Sequence, residues 1–163
     1  MSLSFRFGTV GSPIGTPKKP GGSVGSILFS KTIGLDAMEL GWVQAVRVSP
    51  ETCAVINQAA SQSDVAVSVH APYFINLNAD DEEWPKSRKR LMDAALYGNL
   101  AGATDIIFHP GSYFERPAAE LRGPSEGLNS NVVRIPSSPS RVRGPFGIAA
   151  RRQSSACNPI VWE

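Results

Sequence analysis

His70 and His109 are the only two histidines in this chain of 163 residues, and each stands in the same local setting. His70 follows Val65, Val67 and Val69 and precedes Ala71-Pro72; His109 follows Ile106-Ile107-Phe108 and precedes Pro110-Gly111. β-branched apolar residues at alternate positions mark a strand. A proline then stops the ladder, because it has no N–H to donate. Two strands, each ending in a histidine and then a breaker, predict two imidazoles facing one site. A lone strand-end histidine has an ordinary alternative, a hydrogen-bonded residue of the rim. Two in register lower the weight of that alternative.

The elements that must carry these histidines are legible from spacing. A short apolar strand, Phe5-Arg6-Phe7-Gly8, ends near Gly8, and a second, Ala37-Met38-Glu39-Leu40, ends near Glu39. With His70 and His109 the four strand ends lie 31, 31 and 39 residues apart. A (β/α)8 barrel uses about 250 residues for eight units, roughly 31 each. The spacing therefore predicts four consecutive βα units, an α/β fold forming half of a (β/α)8 TIM barrel. In that fold the chemistry sits at the carboxyl ends of the strands, where both histidines fall.

Between the strands the chain shows helix punctuation. A Gly- and Pro-rich loop over 9–23 carries Lys18 and Lys19, and reads as a flexible surface loop rather than a phosphate cradle, since no Walker pattern is present. Ser23 is expected to cap a helix running to about Thr32, with Ile27, Leu28 and Ile33 inward and Gly34 as its stop. After the second strand, Trp42, Gln44 and Arg47 lie in a loop at the catalytic end. Ser49-Pro50-Glu51 then opens a second helix: a capping Ser, Pro at the first helical position, acid in the first turn. Ala54, Val55, Ile56, Ala59 and Ala60 are its expected buried side. A third helix is expected over about 86–100, with Leu91, Met92, Ala95 and Leu96 inward and Gly102 closing it. The basic cluster Lys86, Arg88, Lys89 and Arg90 reads as a solvated face in preference to a DNA contact.

Composition sets outer limits. A chain of this length can form one domain that buries roughly 70% of its unfolded surface. No apolar run approaches a membrane span, and the start lacks the basic-then-apolar pattern of a signal peptide, so the expected setting is cytoplasmic. Cys53 and Cys157 belong to no Cys-x-x-Cys motif and suggest no disulfide framework. From about residue 115 the text changes. Residues 121–163 contain arginines but no lysine, with much Ser, Pro and Gly and no lasting apolar period. Val132-Val133-Arg134-Ile135 is the strand-like fragment there. The expected organisation is a partial barrel over 1–114 and a low-complexity tail over 115–163, disordered or read out of frame.

Three strings bring a family into view: Val69-His70-Ala71-Pro72-Tyr73-Phe74-Ile75-Asn76-Leu77-Asn78, then Lys86-Ser87-Arg88, then Phe108-His109-Pro110-Gly111-Ser112. They resemble the endonuclease IV family of abasic-site DNA endonucleases, within the xylose-isomerase-like TIM barrels. Phe5-Arg6-Phe7-Gly8-Thr9 and Leu35-Asp36-Ala37-Met38-Glu39 resemble that family's first two units. The resemblance covers about residues 4–114 and ends there.

The resemblance implies hydrolysis of the DNA phosphodiester on the 5′ side of an abasic site by three zinc ions. His70 and His109 would ligate the same, more exposed zinc, which two imidazoles leave short of the usual three or four protein ligands. The family's further Glu, Asp and His ligands come from later strands and have no counterpart here. Tyr73 matches an aromatic that the family inserts at the lesion, as base-step wedges favour such side chains; its alternative is to pack the loop against the barrel rim. Arg47 corresponds to a basic residue of a DNA recognition loop. The expected function is a truncated member of this zinc-dependent DNA repair lineage, inactive alone and binding at most one zinc weakly. Two alternatives stand beside it. One is a sugar isomerase or epimerase fragment of the same superfamily, and the other a non-catalytic piece with a basic, nucleic-acid-binding tail.

Overall fold

The computed structural model describes residues 5–111 in full, and the backbone of strands within 132–134, 150–151 and 160–162. Four strands alternate with three helices: β1 (Gly8–Val10), α1 (Gly22–Thr32), β2 (Ala37–Gly41), α2 (Pro50–Ser63), β3 (Ala66–His70), α3 (Trp84–Leu100) and β4 (Asp105–Ile107). All four pair in parallel and in sequence order. Met38 lies opposite Val67, Leu40 opposite Val69, and Val69 opposite Ile106. These side chains, with Phe108, are buried. Burying each such aliphatic chain contributes about 1.5–3 kcal/mol. The intervening residues Glu39, Ser68, His70 and Ile107 are only half-buried and share the opposite face. Period-2 alternation thus separates a helix-covered side from the side that lines the interior of a barrel. The expected half barrel is the observed architecture.

Beyond it, the sheet continues through β5 (Val132–Arg134), β7 (Ile160–Trp162) and β6 (Ala150–Arg151), with β5 antiparallel to β4. The strand-like fragment at Val132 is β5. β6 and β7 are two and three residues long, too short to show any period in sequence. The rest of what was expected of residues 115–163 lies outside the described residues.

Several local expectations need correction. β1 begins at Gly8 rather than ending there. The Phe7 N–H is taken by the Asp36 carboxylate at 2.7 Å instead of a ladder carbonyl, and Phe5 and Phe7 are exposed. Ser23 caps nothing: α1 starts at Gly22 after Gly21, whose φ of 67° and close approach to the Lys18 carbonyl admit no side chain. Leu28 and Ile33 are exposed, and Gly25, Ser26, Ile27 and Ser30 form the inner face of α1. On α2 the exposed residues include Ala54 and Val55, while Cys53, Ile56, Ala59 and Ala60 face inward. Burial raises the Cys53 thiol pKa and makes it a poor nucleophile. On α3, Leu96 is exposed, and Ser87, Ala94 and Gly98 are buried with Leu91 and Tyr97 packed beside them. Small residues share the inward faces with Ile27 on α1 and Ile56 on α2 and make up the buried set of α3, where they let the helix approach the sheet closely. Ile27, Ile56, Ala59, Ala60 and Leu91 face inward as expected, and Leu28, Ile33, Val55 and Leu96 do not. The expected start of α2 holds: Ser49 accepts the Thr52 N–H at 3.2 Å, and Pro50 occupies the first helical position.

Candidate metal centre at the carboxyl ends of the strands

His70 is the last residue of β3, paired with Gly41 on one side and Ile107 on the other. Its carbonyl accepts the Trp42 N–H at 2.9 Å, and the next N–H, of Ala71, donates to Ile107 at 2.8 Å. Both sheet neighbours therefore hold this strand end. His109 lies two residues past β4 and is exposed. The two rings are nonetheless neighbours, their centres 5.3 Å apart and their planes tilted by 43°.

The His70 ring is also oriented. Nδ1 lies 2.9 Å from the Ala71 carbonyl oxygen. A carbonyl only accepts, so Nδ1 donates, and in the neutral ring Nε2 keeps its lone pair. This is the arrangement that readies an imidazole for a metal. A tetrahedral zinc with Zn–N distances of about 2.0–2.1 Å sets the centres of two imidazole ligands roughly 5 Å apart, close to the separation found. That spacing would admit both rings as ligands of one ion. Among the described residues no group of three or more His, Cys, Asp or Glu side chains gathers to complete such a site, so the two rings could supply at most half of a tetrahedral shell.

Tyr73 completes a triangle of rings. Its centre lies 5.3 Å from that of His70, edge-on at 73°, and 5.3 Å from that of His109. Its N–H donates to the Val43 carbonyl at 2.9 Å, tying the loop after β3 to the loop after β2. Tyr73 is 54% exposed and Phe74 63%, so two aromatic side chains stand out beside the imidazoles. Tyr73 thus lies against both imidazoles while much of it stays open to solvent.

Arg47 is not drawn into this cluster. It is exposed in the loop after β2, and the Val43–Tyr73 bond is what brings that loop to the site. The basic cluster of α3 is occupied with its own neighbours: Lys86 pairs with Glu83, Lys89 with Asp93, and Arg90 donates to the Phe74 carbonyl while lying 6.0 Å from that ring's centre. Leu77, whose N–H donates to the Pro110 carbonyl at 2.8 Å, joins the two histidine-bearing segments directly, and its residue type gives no sign of that role. A backbone bond of this kind has no side-chain signature. No helix among the described residues is long and apolar enough to cross a membrane.

Comparison with known proteins agrees with this geometry. The family described as xylose isomerase-like TIM barrel matches residues 27–131. An uncharacterized protein of Methanocaldococcus jannaschii, MJ0133, is 32% identical over 130 residues, covering 79% of this chain and 44% of that protein. Endonuclease 4 of Thermus thermophilus is 27% identical over 119 residues, covering 69% of this chain and 43% of that one. The crystal structure of an endonuclease IV from Thermus thermophilus superposes with a TM-score of 0.52 at 27% identity, over 66% of this chain and 40% of that chain. The chain thus spans less than half the length of the relatives it matches. Three βα units and a fourth parallel strand, two imidazoles at or just past adjacent strand ends, and a family match over most of the described residues make this chain a member of the xylose isomerase-like TIM barrel family, with endonuclease IV among its relatives.

Proposed function

We propose that this chain is part of a zinc-dependent endonuclease of the endonuclease IV type, acting on the DNA phosphodiester 5′ to abasic sites. His70 and His109 hold one zinc ion, and Tyr73 and Arg47 meet DNA. The observation that carries the reading is the pair of imidazoles 5.3 Å apart at adjacent parallel strand ends, with an exposed tyrosine against both. When bound, a zinc ion supplies Lewis-acid polarisation of a phosphoryl oxygen and a bound water of lowered pKa. His70 donates its Nδ1 proton to Ala71 and presents Nε2. His109, exposed to solvent, would supply the second nitrogen ligand. Tyr73 offers an exposed ring for stacking where a base is missing, and Arg47 an exposed cation for the DNA backbone.

The same reading assigns the 163 residues no incision activity of their own. Both histidines of the chain are already used, and no third carboxylate or imidazole joins them among the described residues. A single half-coordinated ion neither positions an attacking hydroxide nor offsets charge on a leaving oxygen. The division into a partial barrel over 1–114 and a low-complexity tail over 115–163 belongs to this proposal.

The test is incision of a duplex carrying one abasic analogue, with zinc added and a chelator as control, beside calorimetric titration of zinc. The expected result is weak zinc binding and no cleavage. Zinc-dependent cleavage that disappears in His109→Ala would overturn the inactivity. Zinc binding unchanged in His70→Ala would remove the metal site itself, and would favour the non-catalytic alternative.

A further inference from the structure

Asn76 sits where the loop after β3 meets the turn after β4. Its N–H donates to Oγ of Ser87 at 3.1 Å, and Ser87 is buried on the inner face of α3. Its Oδ1 accepts the Asn78 N–H at 2.9 Å, and its carbonyl accepts the N–H of Ala79. Gly111 closes the other side, with φ of +103°. A Cβ there would collide with Oδ1, Cγ and Cα of Asn76, so only glycine lets the two segments touch. Asn76 Nδ2 is buried without a partner among the described residues.

We infer that Asn76, backed by Ser87 and faced by Gly111, is a positioning residue that sets the separation of the His70 and His109 imidazoles. This rests on the reading of the two histidines as a metal pair. The two rings are held very differently. His70 is inside the ladder, with β2 on one side and β4 on the other. His109 lies beyond the ladder, since β4 ends at Ile107. What holds His109 from its C-terminal side is the Leu77–Pro110 bond and the Asn76–Gly111 contact. The conformation of Asn76 aims the Leu77 N–H at Pro110, and Ser87 ties Asn76 to the helix that packs on β3 and β4. Two ligands to one ion tolerate little error in spacing, and supporting residues around metal ligands typically govern affinity by 10–100-fold.

The experiment makes Asn76→Ala, Ser87→Ala and Gly111→Ala in the full chain. They are compared with Arg6→Ala, which breaks the Arg6–Asp64 contact at the opposite end of the sheet. Zinc dissociation constants are measured by competition with a chromophoric chelator. The histidine ring signals are recorded by NMR on the metal-free protein; with two histidines in the chain, His70→Ala and His109→Ala assign them. Asn76→Ala and Gly111→Ala are expected to bind zinc about 10–100-fold more weakly, with the His109 signals displaced and those of His70 retained. Ser87→Ala shows the same pattern at smaller amplitude, and decides the matter where Gly111→Ala does not fold. Arg6→Ala lowers the thermal midpoint and changes neither readout. Variants that lose thermal stability yet keep parental zinc affinity and His109 signals would overturn the inference and leave Asn76 a purely structural role. If His70→Ala and His109→Ala themselves leave zinc binding unchanged, the metal reading fails, and displacement of the His109 signals alone decides for or against positioning by Asn76.

Discussion

The two ends of the parallel sheet are finished in different ways. At the amino ends, the Arg6 guanidinium donates to the carbonyls of Asp36 and Asp64 and meets the Asp64 carboxylate at 2.9 Å, while Asp36 accepts the Phe7 N–H. Charges there are matched across three segments of the chain. At the carboxyl ends the joins are made by backbone instead: Trp42 to His70, Ala71 to Ile107, Tyr73 to Val43, Leu77 to Pro110. Those bonds leave the side chains available, so imidazole and phenol rings meet without being used up in holding the fold. The amino end uses charged side chains to join its segments; on the proposed reading the carboxyl end keeps its imidazoles for a ligand. This is the division of labour expected of a barrel.

Removing a ring at the carboxyl end tests that contrast most severely. His109→Ala or His70→Ala should abolish zinc binding by calorimetry, Tyr73→Ala should leave it unchanged, and Arg6→Ala at the other end should not affect it. An effect of Arg6→Ala on zinc affinity equal to that of the histidine variants would break the comparison. Next in size is the layer common to both ends. Ile106 is fully buried beside Val69, and Ile106→Ala should cost about 2–5 kcal/mol in urea unfolding, from lost transfer energy and the cavity left behind.

A smaller effect belongs to the helix that follows the carboxyl end of β2. Ser49→Ala removes the acceptor for the Thr52 N–H and should lower unfolding free energy by about 1 kcal/mol, with zinc binding intact. Smallest is the charge at the amino end. The Arg6 hydrogen bond and then its charge hold the Asp64 carboxyl below the ordinary carboxylate range. Because the folded value is the lower one, the stabilisation is complete above the unfolded carboxylate value of about 3.9 and is lost as pH falls through the folded one. Asp64 also occupies the left-handed region at φ 48°, which Asn tolerates, so Asp64→Asn isolates the charge. Its thermal midpoint should fall slightly below that of the parent at pH 7, less so in high salt, and the two should converge in acid. A difference that grows in acid would contradict this assignment.

Sequence by itself determined the strands that carry the histidines and their order. Val65, Val67 and Val69 write period 2 in plain view, Pro72 and Pro110 end what they begin, and the spacing near 31 residues announces parallel units joined by helices. It also placed His70 and His109 at one end of the sheet, because parallel strands of similar length bring their ends into line. Helix phase was legible in part, through Ile27, Ile56, Ala59 and Ala60; on α3 it was not, since Ser87, Ala94 and Gly98 face inward for their smallness, and smallness is as common on a surface as in a core. Nor was the start of β1, where the Asp36 side chain stands in for a ladder partner. Tertiary structure alone decided that the rings of His70, Tyr73 and His109 meet at 5.3 Å. The segments that carry these rings are joined by backbone bonds between loops distant in sequence, Tyr73 to Val43 and Leu77 to Pro110. Almost every residue carries the same N–H and C=O, so no residue type records which pairs will form.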